Sequence, residues 1–97
     1  MSKRRNSNTK SIKVYMYQLY GKRCMLCDWK PRGKKNKKHF LTYHHLVDYS
    51  KGGPTTEENG AILCNHCHEW FNRQKPGVQK KLNAYLRKIK KERRRIP

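Results

Sequence analysis

The stretch LTYHHLVDYSKGGPTTEENGAILCNHCH, from Leu41 to His68, decides the fold of this chain. It begins with an apolar segment that carries two adjacent histidines, passes through a Gly-Gly-Pro turn, and ends in Cys-x-x-Cys-His. A further Cys-x-x-Cys pair lies upstream. Imidazoles and thiolates are ligands that zinc and related ions prefer in proteins. The stretch therefore predicts metal chemistry at both of its ends.

The cysteines predict a structural zinc site formed by Cys24, Cys27, Cys64 and Cys67. Two short pairs around a long insert have the spacing of a four-cysteine zinc site, with two disulfides as the alternative. No apolar segment of signal-peptide type opens the sequence, so we expect a protein that is not secreted. Only 34% of the residues are hydrophobic, so the chain can build only a small core. A small core of this kind usually needs a further stabilising link, such as a bound metal ion. Zinc contributes on the order of 10–16 kcal/mol in small metal domains, so the zinc-free chain should be largely unfolded.

The charge of the chain predicts a polyanionic partner. Lysine and arginine number 25 against 6 acidic residues, and the formal net charge is +19. Nucleic acid, bound mainly through its phosphate backbone, is the leading candidate. No apolar run is long enough to cross a bilayer, so we expect no membrane partner.

Hydrophobic periodicity predicts helices on both sides of the central stretch. Apolar residues recur at helical spacing over 11–20, where Ser11 is a candidate N-cap and Gly21 a good residue to end the helix. After a break at Pro76-Gly77, an apolar stripe predicts a final helix whose other faces are basic. The stripe consists of Val78, Leu82, Leu86 and Ile89, with Tyr85 beside it.

The central stretch itself predicts two strands followed by a helix. Residues 40–47 are rich in aromatic and β-branched residues, and residues 61–63 form a second apolar run. Because side chains alternate across a strand, the two adjacent histidines should face opposite sides unless the strand ends there. The helix should begin at His68, with Trp70 and Phe71 in the core.

Basic segments divide the chain into three predicted regions. Residues 1–10 predict a disordered arm that either contacts phosphates or is a solvated tail. Residues 11–75 hold the zinc site, and residues 76–97 form a basic helix and tail. The candidate nucleic-acid contacts are Lys34, Lys35, Lys37 and Lys38 in a loop, and Lys80, Lys81, Arg87, Lys88 and Lys91 in the final helix.

Histidines dominate the candidate catalytic groups, which are His44, His45, Asn59, His66 and His68. Carboxylates are too scarce for an all-carboxylate two-metal site. Neutral imidazoles can hold one divalent ion, and a spare histidine can act as a general base for water. Phosphodiester hydrolysis needs such a base and a cation beside the phosphate.

Between about residues 21 and 71, the chain has His44-His45, then Gly52-Gly53, then Asn59, and then Leu63-Cys64-x-x-Cys67-His68. This order resembles the HNH endonuclease motif. Small HNH proteins of bacteria and phages often carry the same two Cys-x-x-Cys pairs. The resemblance implies an α+β fold, with a zinc-stapled ββα-metal (His-Me finger) core around one divalent cation and flanking N- and C-terminal helices. It also implies a cytoplasmic enzyme of a bacterial host or phage, with a phage or mobile-element protein as a candidate partner.

The resemblance further implies a role for each site residue. His45 matches the general base, and Asn59 matches the asparagine that ties the loop together and helps to orient that base. His44 and His68 match ligands of the catalytic ion, which would be Mg²⁺, Mn²⁺, Ni²⁺ or Zn²⁺. Asn72, one helical turn after His68, is a further candidate ligand.

Two positions depart from the family pattern. Relatives often have Asp where this chain has His44, which leaves the metal site less negative. Relatives also often have Pro where this chain has Tyr49. These departures bear on the preferred metal rather than on the mechanism.

The sequence leaves two functions open. One is a metal-dependent DNA endonuclease in which each site nicks one strand. The other is a noncatalytic, zinc-stapled nucleic-acid-binding module, such as a degenerate HNH domain or a ribosome-associated zinc ribbon. The complete set of His45, Asn59 and His68 favours the enzyme, because a binding module has no physical need to keep it.

Overall fold

The elements follow one another as helix, strand, strand, helix, helix in a computed structural model that describes residues 8–32 and 38–94. They are α1 (Asn8–Tyr20), β1 (Leu41–His45), β2 (Gly60–Cys64), α2 (Asn65–Asn72) and α3 (Pro76–Arg93), with a single 3₁₀ turn at Tyr49–Lys51. This is the predicted α+β class. Among the described residues, no helix is both long and apolar enough to span a bilayer.

The two strands form an antiparallel ribbon with two distinct ends. Leu41 lies opposite Cys64, and His45 lies opposite Gly60. We call these the cysteine end and the histidine end of the sheet. Both strands differ in length from their predicted spans. β1 stops at His45. The Leu46 amide still donates to Asn59 O at 2.8 Å, but Val47 N donates to the side chain of Asn59 at 2.8 Å instead of to a backbone partner.

The core lies where α1 and α3 pack against the sheet. All five residues of β2 are buried. α1 contributes Met16, Leu19 and Tyr20, and α3 contributes Leu86 and Ile89. The core is small, as the composition predicts, and it is continuous with Cys24 and Cys64.

The helix α1 is longer than predicted. It begins at Asn8, so Ser11 is not its N-cap and residues 8–10 do not belong to a disordered arm. No proline or glycine interrupts residues 8–10, and asparagine is favoured at helix N-termini. Residues 1–7 lie outside the described part of the chain. Gly21 ends the helix as predicted, with a φ of 95° and its N–H donating to Tyr17 O at 2.9 Å.

The helix α2 starts inside the second cysteine pair rather than at His68. Cys64 is its N-cap, and the Cys64 Sγ accepts a hydrogen bond from Cys67 N. Phe71 is buried as predicted, but the prediction for Trp70 is wrong, since 46% of its surface is exposed. A helix of 8 residues offers only a narrow face to the sheet, and that face is taken by Phe71.

The apolar stripe predicted for α3 is buried only in part. Leu86 and Ile89 are buried, whereas Val78 and Tyr85 are exposed. Pro76 is the first residue of the helix, a position that proline favours, so the break between α2 and α3 lies just before it.

One lysine of α3 is turned into the protein. Lys90 is only 7% exposed, and its Nζ donates to the carbonyls of Glu57, Glu58 (3.2 Å) and Gly60 (2.7 Å). It also pairs with the carboxylate of Glu57, which in turn accepts hydrogen bonds from Tyr20 and Arg94. The helix therefore holds the loop that enters β2 at the histidine end of the sheet.

Candidate active site

The four cysteines meet at the cysteine end of the sheet. Their Sγ atoms all lie within 4.8 Å of one another, and none forms a disulfide. The Sγ atoms of Cys27 and Cys64 are 3.8 Å apart. Sulfurs held tetrahedrally at about 2.3 Å from one zinc ion lie about 3.8 Å apart, whereas a disulfide bond is about 2.05 Å long. The cluster therefore fits a structural zinc ion.

Backbone amides contact the cysteine sulfurs of both Cys-x-x-Cys pairs. The N–H groups of Leu26 and Cys27 both approach Cys24 Sγ at 3.4 Å, and Cys67 N approaches Cys64 Sγ at 3.5 Å. Hydrogen bonds of this kind stabilise the charged thiolate, which is the form that binds zinc.

A cavity of about 170 Å³ opens at the histidine end. The polar residues around it come from β1, from the segment after it, from α2 and from α3, and they are His44, His45, Asp48, His68, Asn72, Gln79 and Asn83. The structure thus brings together the predicted base and all three predicted ligands of the catalytic ion. Asn59 lies outside this lining.

The two adjacent histidines have different neighbours although both line the cavity. The ring of His44 packs against Phe71 and His68 of α2, with ring centroids 4.4 and 5.2 Å apart. The ring of His45 instead lies against Tyr43 and Tyr49. The two side chains therefore diverge, as expected for a strand, and the end of the strand lets both reach the same cavity.

Hydrogen bonds fix the ring of His68. Its Nδ1 lies 2.8 Å from Thr42 Oγ1, and this hydroxyl donates its proton to Leu63 O at 2.8 Å. The hydroxyl must therefore accept from His68 Nδ1–H, which leaves the lone pair on Nε2. A ring held in this way presents one defined nitrogen to a metal ion.

The ring of His44 is held through its other nitrogen. His44 Nε2 lies 2.9 Å from Asn83 Oδ1, so Nε2 carries the proton and Nδ1 carries the lone pair. A divalent ion such as zinc sits about 2.1 Å from each ligating imidazole nitrogen, so two rings whose centroids are 5.2 Å apart can share one ion. The donor set thus fits a divalent cation.

The predicted base has its own hydrogen bond. His45 Nε2 lies 3.0 Å from Thr55 Oγ1, in the turn between the strands. His45 is half-buried, so its ring is accessible from the cavity. A half-buried ring that is anchored at one nitrogen and lines the cavity is suited to proton transfer.

Burial favours the neutral form of all three imidazoles. Burial lowers the pKa of His44 to about 4, and burial also lowers the pKa values of His45 and His68. A neutral imidazole has a free lone pair, which both a metal ligand and a general base require. The electrostatics of the cavity therefore suit the predicted roles.

In a comparison with known protein families, the family model described as HNH endonuclease matches residues 24–71. Residues 24–71 form an HNH domain. No curated protein and no solved structure matches the chain. The domain includes both cysteine pairs and the predicted site from His44 to His68, whereas α1 and α3 lie outside it. Membership of this nuclease family implies that the chain binds nucleic acid.

In this HNH domain, Asn59 holds the loop that follows the histidine pair. Its Oδ1 accepts from Val47 N at 2.8 Å, and its Nδ2 donates to Val47 O at 3.1 Å and Pro54 O at 2.9 Å. Gly53 lies against the backbone of Val47, since a Cβ at position 53 would lie 1.8 Å from Val47 O. The side chain of Asn59 thus ties the loop together through Val47, which lies two residues after His45.

The structure describes some of the basic residues that were predicted to contact nucleic acid. Lys80, Lys81, Arg87, Lys88 and Lys91 of α3 are all exposed, as is Lys38. Lys34, Lys35 and Lys37 lie outside the described residues. Residues three or four apart on a helix are neighbours, so Lys80 and Arg87 flank Asn83 at the cavity.

Sequence reasoning missed Thr42, Thr55 and Asn83, which hydrogen-bond to the histidines, and Gln79, which lines the cavity. One signal was present in the final helix. Gln79 and Asn83 are uncharged polar residues spaced four apart in a helix whose other polar residues are, apart from Glu92, all lysine and arginine. Residues four apart lie on the same face of a helix, so the spacing indicates that this face has different surroundings from the basic faces.

His39 and His66 lie outside the cavity. The ring of His39 stacks between Trp29 and His66, with centroids 3.7 and 4.2 Å apart. His66 is exposed, and its Nε2 contacts Lys38 O. This stack shares no residue with the cavity lining, so His66 offers a matched control for the cavity histidines.

Proposed function

We propose that this HNH domain is a metal-dependent DNA endonuclease that hydrolyses one phosphodiester bond at each site and so nicks one strand. The observation that carries the proposal is the convergence of three neutral imidazoles on one open cavity. A module that only binds nucleic acid needs positive charge, but it does not need three neutral histidines with oriented rings around one cavity.

The general base in this mechanism is His45. His45 Nε2 lies 3.0 Å from Thr55 Oγ1. We assign Nε2–H as the donor in this contact, so that Nδ1 carries the lone pair that accepts a proton from water. The water oxygen bonds to phosphorus while the bond from phosphorus to the 3′-oxygen breaks. The leaving oxygen takes a proton from solvent, so the products are a 5′-phosphate and a 3′-hydroxyl.

The cation site would be formed by His44 Nδ1 and His68 Nε2, with Asn72 as a further ligand from the exposed side of α2. When bound, Mg²⁺, Mn²⁺, Ni²⁺ or Zn²⁺ supplies positive charge that stabilises the phosphate and the leaving oxygen. The rings of these two ligands are held by Asn83 and Thr42.

The loop between the strands positions the base. Asn59 fixes Val47 and Pro54, and these residues enclose the turn that leads to Thr55. Asn59 thus acts on His45 through the loop, and we assign it a positioning role rather than direct contact with the reacting atoms.

The basic face of α3 would bring the duplex to this cavity. Lys80 and Arg87 are exposed within one helical turn of Asn83, which lines the cavity. Phosphates bound there would lie beside the imidazoles. Such contacts fix the position of a duplex without reading its bases.

The proposal is tested by incubating zinc-loaded protein with supercoiled plasmid and Mg²⁺, Mn²⁺, Ni²⁺ or no added metal. We expect metal-dependent nicking that falls about 10²- to 10⁴-fold in His45→Ala. His66→Ala is the matched control, because it removes an exposed imidazole outside the cavity. Plasmid binding by wild type without nicking under any metal would instead support the noncatalytic binding module.

A further inference from the structure

The clearest feature of the cavity that the HNH motif does not contain is the contact between α3 and His44. His44 is 5% exposed, and Asn83 Oδ1 is 2.9 Å from its Nε2. The amide nitrogen of Asn83 donates to Leu46 O at 3.0 Å. A carbonyl oxygen can only accept, so this second bond fixes which way the amide points.

The orientation of Asn83 determines the tautomer of His44. With its nitrogen turned to Leu46, Asn83 presents only an acceptor to the imidazole. The His44 ring must therefore carry its proton on Nε2, and its lone pair lies on Nδ1. Without this partner, a neutral imidazole can exchange between its two tautomers and rotate about its side-chain bonds.

The pairing is specific to a histidine at position 44. An aspartate, which relatives often have there, offers two equivalent oxygens and needs no choice of tautomer. A buried histidine has a second ring nitrogen that must find a partner, because an unpaired buried polar group is costly. Asn83 lies in α3, outside the matched residues 24–71. The residue that supports the ligand thus comes from outside the motif.

We propose that Asn83 is a positioning residue that holds His44 in its metal-binding tautomer, so that α3 completes the site of the HNH domain. This inference rests on the proposed function, in which His44 is a ligand of the catalytic ion. Partners of this kind typically change metal affinity by about 10- to 100-fold when they are removed.

The variant Asn83→Leu tests the proposal, because leucine has a similar size but neither accepts nor donates a hydrogen bond. Asn83→Asp keeps an acceptor for His44 Nε2–H. Ala84→Leu is the matched control, since it adds the same side chain at an exposed neighbouring position of α3. Zinc content and thermal unfolding of each variant establish that the cysteine end is intact.

The first readout is the tautomer, measured from the ¹⁵N chemical shifts of the His44 ring in zinc-loaded protein without further metal. We expect the Nε2–H form in wild type, Ala84→Leu and Asn83→Asp. In Asn83→Leu the shifts should move towards a mixture of tautomers. An unchanged Nε2–H form in a folded Asn83→Leu protein would overturn the proposal.

The second readout is the affinity for Mn²⁺ alone, measured by calorimetry on zinc-loaded protein. Mn²⁺ is chosen because it prefers oxygen and nitrogen ligands and competes poorly for thiolates. We expect Asn83→Leu to weaken binding about 10- to 100-fold and Asn83→Asp to restore most of it. Equal affinities of Asn83→Leu and Ala84→Leu would contradict the inference.

These readouts separate the inference from the proposed function. If wild type binds Mn²⁺ and the affinity and tautomer respond to Asn83→Leu, the positioning role stands even where no plasmid is nicked. If wild type nicks plasmid and Asn83→Leu alters neither readout, the nuclease stands and the positioning role fails.

Discussion

The two ends of the sheet are built in different ways. At the cysteine end, all four ligand atoms belong to the HNH domain and lie within 4.8 Å of one another. At the histidine end, the imidazoles also belong to the domain, but Asn83 and Lys90 of α3 hold the groups around them. A local motif is therefore sufficient for the closed zinc cluster, whereas the open cavity depends on a helix from outside the motif.

The largest effect is expected at the cysteine end. Cys64→Ser removes one thiolate from the cluster, and zinc contributes on the order of 10–16 kcal/mol in small domains, which exceeds most whole-domain stabilities. We expect the variant to lose zinc and most of its helical circular dichroism. A chelator should do the same to wild type.

His68→Ala is the control for this prediction, since it changes a residue of α2 that lines the cavity and is not one of the four cysteines. It should keep both its zinc and its helical signal. A Cys64→Ser protein that stays folded without zinc would show that the cysteine end does not stabilise the fold, and the contrast between the two ends would fail.

The zinc cluster was predictable because its ligands are set by local spacing. Two turns that each present two sulfurs need only the Cys-x-x-Cys pattern, and the sequence shows both. The resemblance to the HNH motif likewise identified His44, His45, Asn59 and His68, and the structure brings the three histidines to one cavity. The element order was also predicted, although the bounds of every helix and strand differ from the prediction.

The support of the histidine end was not predictable from patterns within single elements. Asn83 contacts His44 across 39 residues of sequence, and Lys90 contacts Gly60 across 30. Such pairings depend on how α3 packs against the sheet. Lys90 does lie four residues after Leu86, on the apolar face of the helix, but in a lysine-rich sequence it resembles its exposed neighbours.

A smaller effect is expected from removing the contact between α3 and the loop that enters β2. Lys90→Met keeps the length of the side chain but removes the charge and the donors to three carbonyl groups. Breaking a buried pair by removing one partner costs about 3 kcal/mol. We expect a loss of this size in the free energy of unfolding by urea with zinc present, while the zinc content stays unchanged.

Lys91→Met is the matched control, because the neighbouring lysine is exposed and surface changes usually stay within about 0.5 kcal/mol. If Lys90→Met were as stable as Lys91→Met, the helix would not hold the histidine end in the way that its contacts indicate. If it also lost zinc, the two ends of the sheet would be coupled rather than independent.

The smallest effect is expected on the salt dependence of DNA binding, which tests whether the histidine end of the sheet faces the duplex. Phosphate contacts make log K fall with log salt concentration at a slope of about −0.9 per contact. Lys80→Ala and Arg87→Ala should each reduce the magnitude of that slope by about 0.9, because both side chains flank the cavity. Tyr85→Ala, an exposed and uncharged position of the same helix, should leave the slope unchanged. DNA binding by each variant is measured from low to moderate salt.

The nicking rate at saturating DNA separates binding from chemistry in these variants. Contacts that only hold the duplex lower the affinity and leave this rate nearly intact, since the imidazoles and their partners are unchanged. If a variant that carries both Lys80→Ala and Arg87→Ala kept the full salt slope of wild type, the duplex would not lie along this flank of α3. In that case α3 would serve the histidine end only through Asn83 and Lys90, and the basic contacts would have to be sought elsewhere on the chain.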